Sequence, residues 1–255
     1  MTKKSYAKVN IFLKIAGKRD NYHELVSRFV RVQNLFDTIT FEQGTFDEFT
    51  LEGNFGCTTQ QNTIFKAYLK LSAISSKVEE FFTSHKVTVD KNIPEFAGLG
   101  GGSSNCATFM IMVNQMCSLG LSKDALSEIA VTIGADVPFF IYEYDSANVT
   151  GIGEIVKPFE EELLDIHTYT PNIECNTGLI FKSFRDNHYK EISIEDSKKL
   201  LNMKSIDIYN SMSIDEANDL YKPALENYSE LTPKNYSLPI NCYFSGSGSS
   251  FFYIT

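Results

Sequence analysis

Cysteine, histidine and positive charge are all scarce in this chain of 255 residues, and each shortage argues against particular classes of protein. The five cysteines are scattered without a Cys-x-x-Cys pair, which disfavours a disulfide scaffold and predicts reduced thiols in a cytoplasm. The four histidines lie far apart, so no cluster of metal ligands is expected. No apolar run reaches the roughly 18 residues that a membrane span needs. The net charge of −9 argues against a nucleic-acid or polybasic membrane binder, although an anionic small substrate stays possible.

The order of strand and helix patterns predicts an α+β fold rather than a regular doubly wound sheet. Residues 5–16 alternate between apolar and polar, which predicts a half-buried strand. Asn62 and Ser122 are typical helix N-caps, whereas residues 46–52 and 139–144 have strand-like composition. The pattern changes near residues 146–158. We therefore expect two domains, residues 1–150 and 151–255.

The run from Gly98 to Asn105 is the most informative feature of the chain. It holds four glycines in five positions and leads into apolar residues at helical spacing, so a helix is expected to begin near Ser103. Free N–H groups at such a helix start can bind phosphate, and glycine lets the backbone approach closely. A flexible linker is the alternative, but linkers rarely run straight into an amphipathic helix. A Walker A loop is excluded because no Gly-Lys-Ser/Thr follows, and Ser103 replaces the third glycine of a dinucleotide fingerprint.

Other candidate residues have ordinary structural interpretations when taken one at a time. Lys8 and Asn10 share the polar face of the first strand and could simply be solvated. Asp136, between a helix end and Pro138, could be a loop or capping residue, with Val137 held extended by the proline. Tyr22 and Phe181 could belong to a core. The late glycine pair Gly246-Ser247-Gly248 could be a hairpin turn.

Taken together, these segments resemble the GHMP kinases, and within them the 4-diphosphocytidyl-2-C-methyl-D-erythritol kinases of non-mevalonate (MEP) isoprenoid biosynthesis. Each segment alone is weak evidence, but they occur in family order over nearly the whole chain. Asn21, before Tyr22, replaces a usual glycine. The matching segments are Ala7-Lys8-Val9-Asn10-Ile11-Phe12-Leu13, Asn21-Tyr22-His23-Glu24-Leu25, Pro94-x-x-x-Gly98-Leu99-Gly100-Gly101-Gly102-Ser103-Ser104, Ile133-Gly134-Ala135-Asp136-Val137-Pro138-Phe139, Gly151-x-Gly153-Glu154, Thr177-x-x-Ile180-Phe181-Lys182, Asn218-Asp219-Leu220 and Ser245-Gly246-Ser247-Gly248.

The resemblance implies a two-domain GHMP kinase fold with the active site in the interdomain cleft. It implies ATP-dependent phosphorylation of the 2-hydroxyl of the diphosphocytidyl substrate, with Mg²⁺ accompanying ATP and Ser104 as one candidate metal ligand. Asp136 would be the general base, and Lys8 would lie beside it. The implied ATP-binding residues are Pro94, Gly98, Leu99, Gly100, Gly101, Gly102, Ser103 and Ser104. The implied substrate-binding residues are Asn10, Tyr22, His23, Thr177 and Phe181, with Tyr22 and Phe181 sandwiching the cytosine ring.

Two other functions fit the same residues. A different GHMP kinase, such as a mevalonate or homoserine kinase, would share the glycine loop but not the cytidine requirement. A non-catalytic nucleotide sensor would bind ATP without turnover, although the presence of both Lys8 and Asp136 favours an enzyme.

Overall fold

A computed structural model describes residues 1–19 and 22–255, without the side chain of Tyr22. The chain forms two compact units, each built from separated stretches of sequence. The first unit comprises Met1–Ala7, Leu35–Ile93 and Gly100–Glu143, and the second comprises Lys8–Asn34, Pro94–Leu99 and Tyr144–Thr255. The domain boundary expected after residue 150 stays a prediction.

Two long strands, β1 (Thr2–Arg19) and β2 (Tyr22–Gln43), run through both units. The first unit adds β3 (Leu51–Gly53), α1 (Thr63–Ser72), α2 (Ser76–Phe82), β4 (His85–Asp90), α3 (Gly101–Met116), α4 (Lys123–Ala130) and α5 (Val137–Tyr142). The second adds β5 (Ser146–Gly151), β6 (Ile155–Pro158), β7 (Ile166–Tyr169), α6 (Thr177–Ser183), α7 (Ile194–Asn202), α8 (Ser205–Ser211), α9 (Ile214–Ala217), α10 (Tyr221–Asn227), β8 (Tyr243–Phe244) and β9 (Phe251–Ile254).

The pairing of β2 differs between its two halves. Its C-terminal half pairs antiparallel with β4 in the first unit, with Thr38 opposite Asp90, and β3 lies parallel to β4. Its N-terminal half pairs antiparallel with β5 in the second unit, with Leu25 opposite Gly151, and β5 continues to β6. β1 also pairs with β2. The second unit has a further sheet in the order β7-β9-β8.

The strand predicted over residues 5–16 is confirmed, but the expectation that it is half-buried is wrong. Residues 7–13 of β1 are all buried, including Lys8, Asn10 and Phe12 on the face expected to be polar and solvated. Alternation reports which side chains share a face, but it cannot report whether the second face is covered. Here Lys8 and Asn10 find polar partners inside the second unit, which makes their burial possible.

The strand expected over residues 139–144 is a helix, α5. Short apolar runs do not distinguish strand from helix, and Val137 through Ile141 are all buried as α5 packs against α3 and α4. Pro138 lies in the first turn, where its missing N–H costs nothing, so Val137 begins the helix rather than being held extended. Of the strand expected over residues 46–52, only β3 forms. The N-caps at Asn62 and Ser122 are confirmed, since each side chain accepts a backbone N–H.

None of the five cysteines forms a disulfide.

Within residues 1–19 and 22–255, no helix combines the length and apolar character that crossing a membrane requires.

Candidate active site

The glycine run forms a tight turn followed at once by α3. Gly98 and Gly100 have φ of +74° and +72°, a left-handed conformation that only glycine adopts without strain. Gly101 and Gly102 are already helical, so α3 begins two residues before the expected Ser103. Gly100 occupies the N-cap position and has no side chain to cap the first turn. The first-turn N–H groups of α3 are therefore available to an anion such as phosphate.

The glycines of the run differ in how much room the structure leaves for a side chain. A Cβ on Gly98 would lie 2.0 Å from the carbonyl oxygen of Ser245, so this position accepts only glycine. A Cβ on Gly101 would lie 2.9 Å from Cγ2 of Ile93, within the first unit. Gly102 is exposed, and its Cβ would meet nothing closer than Oγ1 of Thr63 at 3.8 Å. Gly102 is thus the glycine whose side-chain space is open to a ligand.

The two serines that follow differ in burial. Ser104 is only 1% exposed, and its Oγ accepts a hydrogen bond from Ser5 at 2.8 Å. Ser5 also accepts from Asn105, which donates in turn to Asp37 at 2.8 Å. Ser103 is half-buried. Ser104 therefore anchors α3 inside the first unit, whereas Ser103 has the more accessible hydroxyl.

The remaining predicted ATP-loop residues, Pro94 and Leu99, lie in the second unit. Pro94 is half-buried, and Leu99 is 1% exposed. The Leu99 carbonyl accepts the backbone N–H of Lys8 at 2.9 Å, which fixes the loop against β1. This contact explains why the loop and the lysine strand are held together.

Lys8 is a buried cation, with 3% of its surface exposed. Its Nζ donates to Oδ1 of Asn10 at 2.7 Å and to the carbonyl of Gly98 at 3.0 Å. The ammonium also lies 4.5 Å from the centre of the Phe29 ring, close enough for a cation–π interaction. Asn10, 1% exposed, uses its amide inside the protein, and its predicted contact with substrate stays a prediction.

Asp136 is half-buried and stands at the N-cap position of α5, but its carboxylate makes no capping hydrogen bond. The alternative that it is an ordinary capping aspartate is therefore wrong. Ser103 approaches the same segment, since a Cβ on Gly134 would lie 3.8 Å from its Oγ. Asp136 therefore precedes α5 without capping it through its side chain.

His23 and Phe181, predicted to bind the cytosine, stack on each other with ring centres 5.4 Å apart. His23 is 8% exposed, and its buried Nε2 has no hydrogen-bond partner among the described residues. Burial, followed by the nearby charges of Arg185 and Lys18, lowers the pKa of His23, so the imidazole is neutral at neutral pH. Phe184 meets the His23 ring edge-on at 5.9 Å. The Tyr22 side chain, predicted to form the opposite wall, lies outside the described part of the chain.

Thr177 begins α6, and its hydroxyl lies 2.8 Å from that of Ser247 in the late glycine segment. The capping role left open for Thr177 belongs to Asn176, whose side chain accepts from the N–H of Leu179. Thr177 is exposed, so its hydroxyl can also meet a ligand.

The late glycine segment connects β8 to β9 and packs on the ATP loop within the second unit. Ser245 Oγ donates to the Gly98 carbonyl at 2.9 Å, and Ser250 donates its N–H to the Ala97 carbonyl at 3.1 Å. Asn218 holds the segment by donating to the carbonyls of Phe244 and Gly246, both at 2.9 Å. The segment is therefore both a strand connection and a support for the loop.

Comparison with known proteins agrees with this geometry. The family described as "GHMP kinases N terminal domain" matches residues 62–144. The chain is 50% identical over 255 residues to a 4-diphosphocytidyl-2-C-methyl-D-erythritol kinase of Sulfurimonas denitrificans, covering 98% of this chain and 95% of that protein. It is 46% identical over 252 residues to the same kinase of a Sulfurovum species, covering 97% and 96%. The chain belongs to the 4-diphosphocytidyl-2-C-methyl-D-erythritol kinase family.

A solved structure of the same kinase family supports the assignment. The crystal structure of a 4-(cytidine 5'-diphospho)-2C-methyl-D-erythritol kinase superposes with a TM-score of 0.76 at 26% identity, covering 100% of this chain and 90% of that one. The predicted α+β GHMP kinase fold is confirmed. As a GHMP kinase, the chain is an enzyme that uses ATP.

The structure brings several predicted residues of this GHMP kinase together. In the second unit, Lys8 contacts Asn10 and Gly98, and His23 contacts Phe181. The first unit holds Asp136 and the start of α3. Sequence reasoning missed Ser27, which is bonded to Asn10 inside the second unit. Its only signal is that a small polar residue stands between the apolar residues Val26 and Phe29 of β2, and this signal is weak.

Proposed function

We propose that this enzyme transfers the γ-phosphoryl group of ATP to the 2-hydroxyl of 4-diphosphocytidyl-2-C-methyl-D-erythritol, in non-mevalonate isoprenoid precursor biosynthesis. The observation that carries the choice of substrate is the stacked pair of His23 and Phe181 with its buried, unpartnered Nε2. A pyrimidine needs an aromatic surface for its face and a hydrogen-bonding group for its edge, and this pair offers both. Mevalonate and homoserine contain no nucleobase, so neither would use the aromatic surface or the hydrogen-bonding group of this pair.

The catalytic chemistry is assigned to Asp136 and Lys8. A sugar-alcohol hydroxyl attacks phosphorus only when its proton has an acceptor, and the carboxylate of Asp136 takes that role. The Lys8 ammonium, fixed by Asn10 and Gly98, offsets negative charge that develops on the transferred phosphoryl group. The exposed Gly102 and the uncapped start of α3 bind the ATP phosphates.

Mg²⁺ is proposed to accompany ATP. Among the described residues no cluster of three or more His, Cys, Asp or Glu side chains could form a metal cage. Mg²⁺ does not need such a cage, because it commonly binds through one or two protein oxygens together with substrate phosphates and water. Ser103 offers an oxygen donor of that kind, whereas the Ser104 hydroxyl already accepts from Ser5. When bound, the ion supplies positive charge at the phosphates.

The decisive experiment measures ATP consumption by the purified chain with the diphosphocytidyl substrate, with mevalonate and with homoserine. Turnover with the first substrate alone is expected. Equal or better turnover with either control would assign the chain to another GHMP kinase activity. ATP binding without turnover on any acceptor would identify a nucleotide sensor.

The proposed location is the cytoplasm, a compartment that would keep the five scattered cysteines reduced.

A further inference from the structure

Ser27 lies on β2, and no part of its side chain reaches solvent. Its Oγ accepts a hydrogen bond from Nδ2 of Asn10 at 2.9 Å and donates its own proton to the carbonyl of Phe12. Oδ1 of Asn10 in turn accepts from Nζ of Lys8. Ser27 is thus the second link of a buried chain of hydrogen bonds that ends on the lysine.

The direction of every bond in this chain is fixed. A serine hydroxyl has one proton, and here the Phe12 carbonyl takes it. The Ser27 oxygen therefore offers only lone pairs to Asn10. The amide of Asn10 must then present its NH₂ group to Ser27 and its carbonyl oxygen to Lys8. A lysine ammonium has donors and no acceptor, and it requires that same orientation. Without Ser27, the buried NH₂ group of Asn10 loses its acceptor, and only the bond to Lys8 still opposes rotation of the amide.

We propose that Ser27 is a positioning residue for phosphoryl transfer, because it locks the amide of Asn10 so that Lys8 is held at one place. The inference rests on the proposed function, in which the Lys8 ammonium stabilises the transferred phosphoryl group. Ser27 contacts neither ATP nor substrate in this scheme. It acts through Asn10 alone, so its loss changes the rate of the chemical step more than the binding of either ligand.

The test compares Ser27→Ala with Ser27→Thr and with the matched control Ser205→Ala. Ser205 lies in the same unit, is equally buried, and also accepts one hydrogen bond (from Arg28) and donates one (to Glu161). For each variant, kcat and both KM values are measured, together with the thermal unfolding midpoint. Ser27→Ala and Ser205→Ala should both lose stability, since each loses a two-bonded buried hydroxyl, and the loss should be at least as large in Ser205→Ala because its partners are charged.

Only Ser27→Ala should lose kcat, by about tenfold or more with KM values close to the parent, because small misplacements at a reacting group are costly. Ser27→Thr keeps the hydroxyl and should restore most of kcat. Parent-like kcat in Ser27→Ala, the same loss of kcat in Ser205→Ala, or a folded Ser27→Thr as slow as Ser27→Ala would each overturn the proposal. A parent chain inactive with the diphosphocytidyl substrate would instead overturn the proposed function itself, which separates the two failures.

Discussion

Asp136 stands at a helix N-cap position but does not cap the helix with its side chain. It occupies the N-cap position of α5, where an aspartate usually caps, yet it makes no capping bond there. Asp136→Asn keeps the size and shape of the side chain but cannot accept a proton from a hydroxyl. We expect turnover to fall about 10²–10⁴-fold, the scale of general-base loss, with both ligands still bound. Steady-state kinetics and titration with ATP provide the measurement.

The control for this substitution is Asp47→Asn, an exposed aspartate in the same unit. Its turnover should match that of the parent. Near-parental turnover in Asp136→Asn, with the parent active, would rule out Asp136 as the base.

Phe181 provides the residue-scale test of base recognition. It is half-buried and stacks on His23. Phe181→Ala removes an aromatic surface and should weaken substrate binding by about 1–3 kcal/mol, the usual loss for a stacking platform, while ATP affinity stays constant. Calorimetric titration with each ligand measures both effects.

Phe65→Ala truncates a half-buried phenylalanine of α1 and controls for general loss of packing. It should leave substrate affinity unchanged. If Phe181→Ala weakened ATP and substrate equally, Phe181 would be a core residue rather than a ligand contact.

At the scale of elements, the junction between the glycine run and α3 contains glycines that the backbone requires and glycines that it does not. Gly98 has positive φ, and a Cβ there would overlap the Ser245 carbonyl, so Gly98→Ala forces the loop and the late glycine segment apart. The left-handed backbone alone should cost about 1–3 kcal/mol of unfolding free energy, and the overlap adds to this. Urea denaturation measures the change.

Gly102→Ala is the matched control for Gly98→Ala. Gly102 is helical, with open space where a Cβ would be, so alanine should leave stability unchanged or raise it by up to about 0.5–1 kcal/mol. Similar stability losses in the two variants would show that the loop tolerates movement and that Gly98 is not specifically required.

At the scale of the whole second unit, Arg28 joins parts of the chain that are far apart in sequence. Its guanidinium is fully buried and donates to the side chain of Asn148 at 2.7 Å and to the carbonyls of Leu201 at 3.0 Å and Met203 at 3.2 Å. Glu161 lies 3.7 Å away and balances the charge. Burial nevertheless lowers the pKa of Arg28 to about 10, which is still high enough to keep it charged at neutral pH.

Arg28→Lys cannot reproduce these bonds, because an ammonium lacks the planar set of donors. The substitution keeps the positive charge but leaves buried acceptors without a donor, and since each costs about 1–3 kcal/mol, we expect a loss of at least that order in urea denaturation. Arg19→Lys alters an exposed arginine paired with Glu24 and Glu154, and its loss should be much smaller. Equal losses in the two variants would contradict a special role for Arg28 in holding the unit together.

The sequence by itself determined the local features of this protein. The glycine run predicted a tight turn before a helix, because positive φ and free N–H groups are properties of a few consecutive residues. The caps at Asn62 and Ser122 were predictable for the same reason. The matching segments identified the family because their order along the chain is itself a sequence property. No comparable local signal pointed to Ser27.

Only the tertiary structure decided which faces are covered and which polar groups meet. It buried both faces of β1 over residues 7–13 and turned the apolar run after Asp136 into α5, since those outcomes depend on neighbours distant in the chain. It also closed the hydrogen-bond chain from Phe12 through Ser27 and Asn10 to Lys8. A buried polar group must find its partner inside the protein, and that partner is fixed by packing rather than by sequence spacing.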